Sequence, residues 1–233
     1  MSGPMGSNMG LRVGTPEHEF EDAVVFDDGI LTFREFAMSE PVPLASIHGA
    51  VLEFLRGRDD AVLFGAQAVN AYVDEPRMTQ DVDIASTRAK ELADEIKDLL
   101  NARLHIAVRV REVRGGIGYR IYQVRKPTNR HLVDVRPVKA LPPANRLSEI
   151  LVVTPPELIA GKVNASQSRR GKPKSGTDWR DLAMLLLAFP ELKAHDSEVR
   201  TRLEANKADA KVLAVWKELV DQEIVADEED EEF

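Results

Sequence analysis

The spacing of apolar residues divides the chain into two regimes. Between Leu44 and Arg56, apolar Leu44, Ile47, Val51, Phe54 and Leu55 recur at three- and four-residue intervals and predict an amphipathic helix. Ala61-Val62-Leu63-Phe64 is a short apolar run that ends at Gly65, which predicts a strand giving way to a helix. In Asp81-Val82-Asp83-Ile84 apolar and acidic residues alternate. A strand there turns Val82 and Ile84 to the core and places both carboxylates on the opposite face. Ser86 and Thr87 can cap a following helix whose Leu92, Ile96, Leu99 and Leu100 share a face. Three strand-like pieces come next. Ile106, Val108 and Val110 alternate with Ala107, Arg109 and Arg111, the Gly115-Gly116-Ile117-Gly118 stretch marks a turn, and Tyr119 to Val124 and Leu132 to Val135 follow.

Lys139 to Arg146, with Pro142-Pro143, reads as a linker. Beyond it the repeat is helical. Thr154-Pro155-Pro156-Glu157 has the form of a capping box with proline at the first helical position, and further helices are expected to begin near Asp178, Asp196 and Asn206. Upstream, Asp28-Gly29 marks a turn within a hairpin or short helix spanning Val24 to Phe36. The expected organisation is an N-terminal extension (1–43), an α/β core (44–146), a helical region (147–225) and an acidic, disordered tail (226–233). No internal repeat is visible.

Composition narrows the function classes. A chain of 233 residues with 43% hydrophobic content can build a full core, and the lack of cysteine excludes disulfides, thiolate metal sites and a cysteine nucleophile. No apolar run approaches the ~20 residues that span a bilayer, and no export signal opens the chain, so a soluble, cytoplasmic protein without a membrane partner is expected. The formal charge is −8, but Asp227 to Glu232 contributes six of those charges. Without them the body is near neutral, so the total is a poor guide to partners. The five histidines lack zinc-site spacing, and neither a Gly-x-Ser-x-Gly nor a P-loop motif occurs, which disfavours zinc, serine-hydrolase and P-loop chemistry.

The Asp81/Asp83 pair carries the strongest chemical signal. Two like charges side by side repel, and a divalent cation relieves them; hard carboxylate oxygens suit Mg²⁺. The Gly65 turn, where a strand meets a helix, can present bare backbone N–H groups to a phosphate. Phosphate cradle and metal carboxylates together suggest phosphoryl or nucleotidyl transfer. Two metal ions need a further carboxylate, and Asp134, within Leu132-Val133-Asp134-Val135, is the candidate; the alternative is a core salt bridge to Arg136 or Arg109.

A strand ending at a glycine, a short helix, the element Arg77-Met78-Thr79 and then Asp81-Val82-Asp83 resembles the nucleotidyltransferase superfamily that includes DNA polymerase β, especially its bacterial AbiEii-like branch. The resemblance spans about Ala61 to Ala188. It returns at Glu157-Leu158-Ile159-Ala160-Gly161-Lys162 and Thr177-Asp178-Trp179-Arg180-Asp181-Leu182. Two departures stand out. Thr177 occupies a position where the family usually has arginine, and Ala66 follows Gly65 where it usually has glycine or serine. Alanine removes a side-chain donor but keeps the backbone N–H.

The resemblance implies a polymerase β-like mixed sheet with flanking helices and a helical C-terminal half. It also implies an NTP substrate, two Mg²⁺ ions held by Asp81, Asp83 and Asp134, and transfer of an NMP to a hydroxyl. Gly65, Ala66, Arg77, Thr79, Lys162, Asp178 and Asp181 are the corresponding nucleotide-site residues. Alternatives remain for several of them: Arg77 can pair with Asp74 or Glu75, Lys162 can be an ordinary helix lysine, and Asp178 and Asp181 can orient Lys162 or Arg169 from behind, or Asp178 can be no more than an acidic first-turn residue favoured by the helix dipole. Arg169, Arg170, Lys172 and Lys174 form the one dense basic cluster, suited to the phosphates of a nucleotide or an RNA acceptor. The family implies RNA, tRNA acceptor ends in particular, a role in toxin–antitoxin or phage-defence systems, and a cognate antitoxin as partner. A small-molecule or protein acceptor, or a catalytically silent binding module, is the competing expectation.

Overall fold

The computed structural model describes residues 42–113 and 115–226. The expected element at Val24 to Phe36 and the acidic run from Asp227 lie outside the described residues. Seven strands form one mixed sheet: β1 (Ala61–Phe64), β2 (Val82–Ser86), β3 (Val108–Glu112), β4 (Tyr119–Gln123), β5 (Arg130–Pro137), β6 (Ala144–Leu147) and β7 (Ile150–Val153), in the spatial order β3-β4-β5-β2-β1-β7-β6. The central trio is the part that matters for chemistry. β2 runs parallel to β5 and antiparallel to β1, with Asp83 registered against Asp134 on one side and Phe64 on the other.

The helices among the described residues are α1 (Leu44–Leu55), α2 (Gly65–Asn70), α3 (Ala89–Leu104), α4 (Pro155–Ser168), α5 (Lys174–Ala188), α6 (Glu198–Ala205) and α7 (Ala210–Asp221), with a 3₁₀ turn at Pro190–Leu192. α1 and α3 pack on each other and on the sheet, burying Ile47, Val51, Leu92, Ile96 and Leu100. Each fully buried aliphatic side chain of this kind contributes about 1.5–3 kcal/mol relative to exposure. α4 is the hub of the second layer, touching α2, α5, α6 and α7, with Ile159 and Val163 fully buried.

Four local expectations are corrected. Lys139 to Arg146 is not simply a linker, because Ala144–Leu147 is strand β6; it pairs antiparallel with β7, and β7 pairs parallel with β1. The sheet therefore extends past residue 146. The turn that permits this is Ser148-Glu149, both with positive φ, a backbone form usually announced by Asn or Gly and so not signalled by this pair. Ser86 does not cap α3 through its first turn: it is fully buried, its Oγ donating to the Asp60 carbonyl at 2.7 Å and accepting from the Arg88 N–H at 3.0 Å. The capping box at α4 is not closed. Thr154 makes no side-chain cap bond, while Glu157 accepts from Asn206 Nδ2 at 2.9 Å. Finally, α5 begins at Lys174, a turn earlier than Asp178, so the basic cluster spans a short loop and a helix start.

Candidate active site

A cleft of ≈ 1310 Å³ opens between the β4-β5-β2-β1 part of the sheet and helices α4 and α5. The sheet contributes acids. Because β2 and β5 are in parallel register, Asp83 and Asp134 lie side by side, while Asp81 immediately precedes β2. Asp81 and Asp134, together with His131, each offer a ligand atom within 4.8 Å of the others. Gly65 is what lets Asp83 sit where it does: with φ at +74°, a Cβ added there would lie 2.0 Å from Asp83 Oδ2. No side chain other than glycine's fits that approach.

The titration of these groups follows from their surroundings. Burial and then the Asp81 and Asp134 charges push the Asp83 carboxyl up to about 6. Asp81 moves the other way: the His131 hydrogen bond holds it below the ordinary carboxylate range against the effect of burial, with further help from Lys174. At Asp134 burial opposes ionisation, but bonds to His131 and Arg120 outweigh it and lower the pKa. His131 Nδ1 lies 3.2 Å from Asp81 Oδ2 and Nε2 lies 3.6 Å from Asp134 Oδ1, and although burial pulls the imidazolium down, the two carboxylates raise it to about 9. Three converging carboxylates, one of them kept from ionising freely by burial and then by the other two, form a donor set that fits divalent cations with hard oxygen preference.

The salt bridge expected as the alternative role of Asp134 is formed, but with a different residue. Arg120, its cross-strand neighbour, donates through Nε to Oδ1 at 2.9 Å; Arg136 instead lies over the Phe64 ring, 4.7 Å from its centroid. His131 and Arg120 are the site residues that sequence reasoning missed. Strict alternation from Asp134 would turn His131 to the opposite face. A bulge between the Ile121/Val133 and Tyr122/His131 pairs inserts one residue into β5 and brings His131 round to the side of Asp134.

The helical wall contributes cations mounted on buried acids. Asp181 is 0% exposed and Asp178 2%. Arg77 Nε and Nη2 donate to the two oxygens of Asp181 at 2.6 and 2.8 Å, and Lys162 Nζ donates to Asp181 Oδ2 at 2.5 Å. Burial works against the Asp181 charge, but Arg77 and Lys162 overcome it and hold the carboxyl below its ordinary range. Asp178 takes Arg169 Nη1 at 2.9 and 3.1 Å, with Lys162 at 3.7 Å. Arg77 thus pairs with neither Asp74 nor Glu75, and the two aspartates sit behind the cations, as one sequence expectation held. Lys162, Arg77 and Arg169 all line the cleft. Thr79 lines it too, its Oγ1 accepting from Gln67 Nε2 at 2.8 Å, and Gly65 and Ala66 form its edge.

The basic cluster is divided by the fold. Arg169 and Lys174 line the cleft, Arg170 lines a separate groove behind it, and Lys172 is exposed and borders neither. Among the described residues no helix is long and apolar enough to cross a membrane.

A protein-family model described as "Nucleotidyl transferase AbiEii toxin, Type IV TA system" matches residues 50–232. No curated protein matches the sequence. Among solved structures, JHP933 from Helicobacter pylori superimposes with a TM-score of 0.51 at 15% identity, over 82% of this chain and 92% of that one. The polyadenylate synthase of Megavirus gives a TM-score of 0.53 at 12% identity, over 67% of this chain; the match spans only 34% of the viral protein. At these identities the likeness is one of fold.

Proposed function

The chain belongs to the AbiEii nucleotidyltransferase family, and on that premise we propose that it moves an NMP from an NTP, with Mg²⁺, to a hydroxyl of an RNA acceptor, as a toxin-like or phage-defence protein working beside a cognate antitoxin. The observation that carries this reading is the meeting, in one cleft, of Asp81, Asp83 and Asp134 on the sheet wall with Lys162 and Arg77 on the helical wall.

Asp81, Asp83 and Asp134 would hold the metal, which supplies charge neutralisation on the attacking and leaving oxygens when bound. The acceptor hydroxyl gives up its proton to solvent and its oxygen forms a new bond to the α-phosphorus as the bond to the bridging oxygen breaks and pyrophosphate leaves, so the protein's work is to align those atoms and to balance charge. Lys162 and Arg77, held by Asp181, present fixed positive charge to the phosphates without having to find their orientation on binding. Arg169 on Asp178 extends that charge towards the α4–α5 loop, and Lys174 stands close enough to influence Asp81. Gly65, Ala66 and Thr79 form the remaining edge of the nucleotide site. Support for an RNA acceptor is the cationic rim made by Arg169 and Lys174 at the cleft mouth, continued by Arg170 and Lys172 on the loop.

The test incubates the purified protein with each labelled NTP, Mg²⁺ and, separately, total RNA, small hydroxyl compounds and protein. Label should pass to RNA, and neutralising Arg169, Arg170, Lys172 and Lys174 together should slow transfer and flatten its salt dependence. Label passing only to a small molecule or a protein refutes the RNA acceptor; no transfer to any acceptor, with NTP binding intact, favours a silent module. Mg²⁺ titration followed by calorimetry should lose its signal in Asp81→Asn.

A further inference from the structure

Behind the cleft, on the far side of the α4–α5 loop, lies a second concavity of ≈ 440 Å³. Its wall carries Gln167 from the end of α4, Arg170 from the α4–α5 loop, Ser175 and Trp179 from α5, and Glu218 and Leu219 from α7. Three features distinguish it from an ordinary crease. Trp179 is 36% exposed, whereas the chain's other tryptophan, Trp216, is 2% exposed and belongs to the core. Gln167 Oε1 is shielded from solvent yet has no hydrogen-bond partner among the described residues. Buried acceptors of that kind are rare and call for a donor. Arg170 stands on the same wall, and among the described residues it has no carboxylate partner, in contrast to Arg169 beside it, which is spent on Asp178.

We propose that this groove is a nucleobase-binding subsite for the single-stranded end of the RNA acceptor. The inference rests on the RNA reading above and adds to it where the strand lies. An aromatic face beside a guanidinium suits a base stacked on the ring with its flanking phosphate on the cation, a combination that recurs in proteins that bind single strands. Within the groove Arg170 is offset by Glu218 on the α7 side, so it is continuity with the cationic loop that favours a nucleic acid over an apolar protein segment. The loop that separates the groove from the cleft is Arg169 to Pro173, so a strand with its reacting hydroxyl in the cleft crosses that cationic ridge to reach Trp179. Alternate positions on one short stretch serve the two sites: Lys174, Thr177 and Asp178 border the cleft, while Ser175, Gly176 and Trp179 border the groove.

Because one of the two tryptophans is exposed and the other buried, the protein reports on its own groove. A 12-nucleotide single-stranded RNA with a free 3′ hydroxyl is titrated into the full chain while tryptophan fluorescence is followed, and affinity is measured in parallel by anisotropy of the labelled RNA. Wild type should show saturable quenching. Trp179→Phe should bind with similar affinity and lose the quenching; Trp179→Ala should bind about 5- to 100-fold more weakly, in line with the loss of one stacked base. Melting curves identify any variant that has failed to fold, and Trp179→Phe, which keeps the ring, preserves the comparison if alanine is not tolerated. RNA that binds with unchanged fluorescence and equal affinity for Trp179→Ala overturns the subsite while leaving the RNA acceptor standing. Failure of RNA to bind wild type at all, with transfer to a small acceptor, overturns the acceptor reading and the subsite with it. Quenching by a protein partner but not by RNA assigns the groove to that partner and overturns the proposal.

Discussion

The two walls of the cleft solve opposite electrostatic problems. On the sheet wall Asp81 and Asp134 are paired with His131 and Arg120, whereas Asp83 resists ionisation, burial first and then the Asp81 and Asp134 charges pushing its pKa to about 6. On the helical wall every buried acid is matched: Asp181 is fully buried, holds both Arg77 and Lys162, and is ionised more readily than an ordinary carboxylate. The sheet wall is therefore kept at a cost that a cation removes. The helical wall is complete as it stands and projects the outer faces of its cations into the cleft. Preorganisation has two forms here, one held under repulsion and one held by mutual attraction.

Substitutions at matched positions on the two walls should have effects of opposite sign. Asp83→Asn should lower transfer roughly a thousandfold or more, since a metal ligand supplies several kcal/mol of transition-state stabilisation. The same change should raise stability by about 1–3 kcal/mol at neutral pH, because it removes a carboxyl that ionises reluctantly. The sign follows from the direction of the shift. A carboxyl whose folded pKa is raised destabilises the native state above that pKa, and the cost fades as pH falls from about 6 towards the ordinary aspartate value of 3.8. Wild type should thus gain stability on mild acidification over that window and Asp83→Asn should not; chemical denaturation at a series of pH values measures both. An asparagine variant that is less stable than wild type at neutral pH would break the comparison.

Asp181→Ala should do the reverse. It removes the carboxylate that bonds both Arg77 and Lys162, leaving only the more distant Asp178, and should cost about 3–5 kcal/mol of stability, the range for breaking a buried pair by removing one partner. Since Asp181 is lowered, its contribution is present above the unfolded carboxylate pKa and lost as pH falls below it, so the acid limb of the stability profile should flatten in this variant. NTP affinity should fall alongside, measured by calorimetry.

Gly65→Ala probes the contact between the strand end and the acid cluster. A left-handed backbone costs a non-glycine residue about 1–2 kcal/mol, and the new methyl group would force Asp83 from its place. Transfer should drop far more than a loss of that size in stability explains, as activity assays beside melting curves would show. The smallest effect belongs to Lys172→Gln. Lys172 is exposed and borders neither cavity, so stability should change by less than about 0.5 kcal/mol, and transfer should alter only through a shallower salt dependence.

Much of the sheet wall was legible in the sequence, for a simple reason. Alternation in Asp81-Val82-Asp83-Ile84 and the apolar flanks of Asp134 are local signals, and local signals fix which side of a strand a residue faces. His131 was not legible, because its place depends on a bulge that reverses the alternation. Arg120 was hidden for a related reason: its partnership with Asp134 comes from the register of β4 against β5, which neither strand's own sequence specifies. The hairpin of β6 and β7 escaped notice because Ser148-Glu149 adopts a turn that those residues seldom signal. On the helical wall the residue types were visible, but the arrangement was not. Arg77 and Asp181 are 104 positions apart, and only packing decides that they meet.

Thr154 is the only residue between the end of β7 and the start of α4. The strand beside β1 therefore runs almost directly into the helix that carries Lys162, and the Thr154 N–H is itself pinned to the Pro143 carbonyl at 3.0 Å. The Arg77–Asp181 pair forms a second fastening from the segment before β2 to α5. A jaw needs a pivot, and this junction offers none. The distance between the acids of the sheet wall and the cations of the helical wall is built in as a fixed gauge, so selection among substrates falls to fit at the rim rather than to closure of one half on the other.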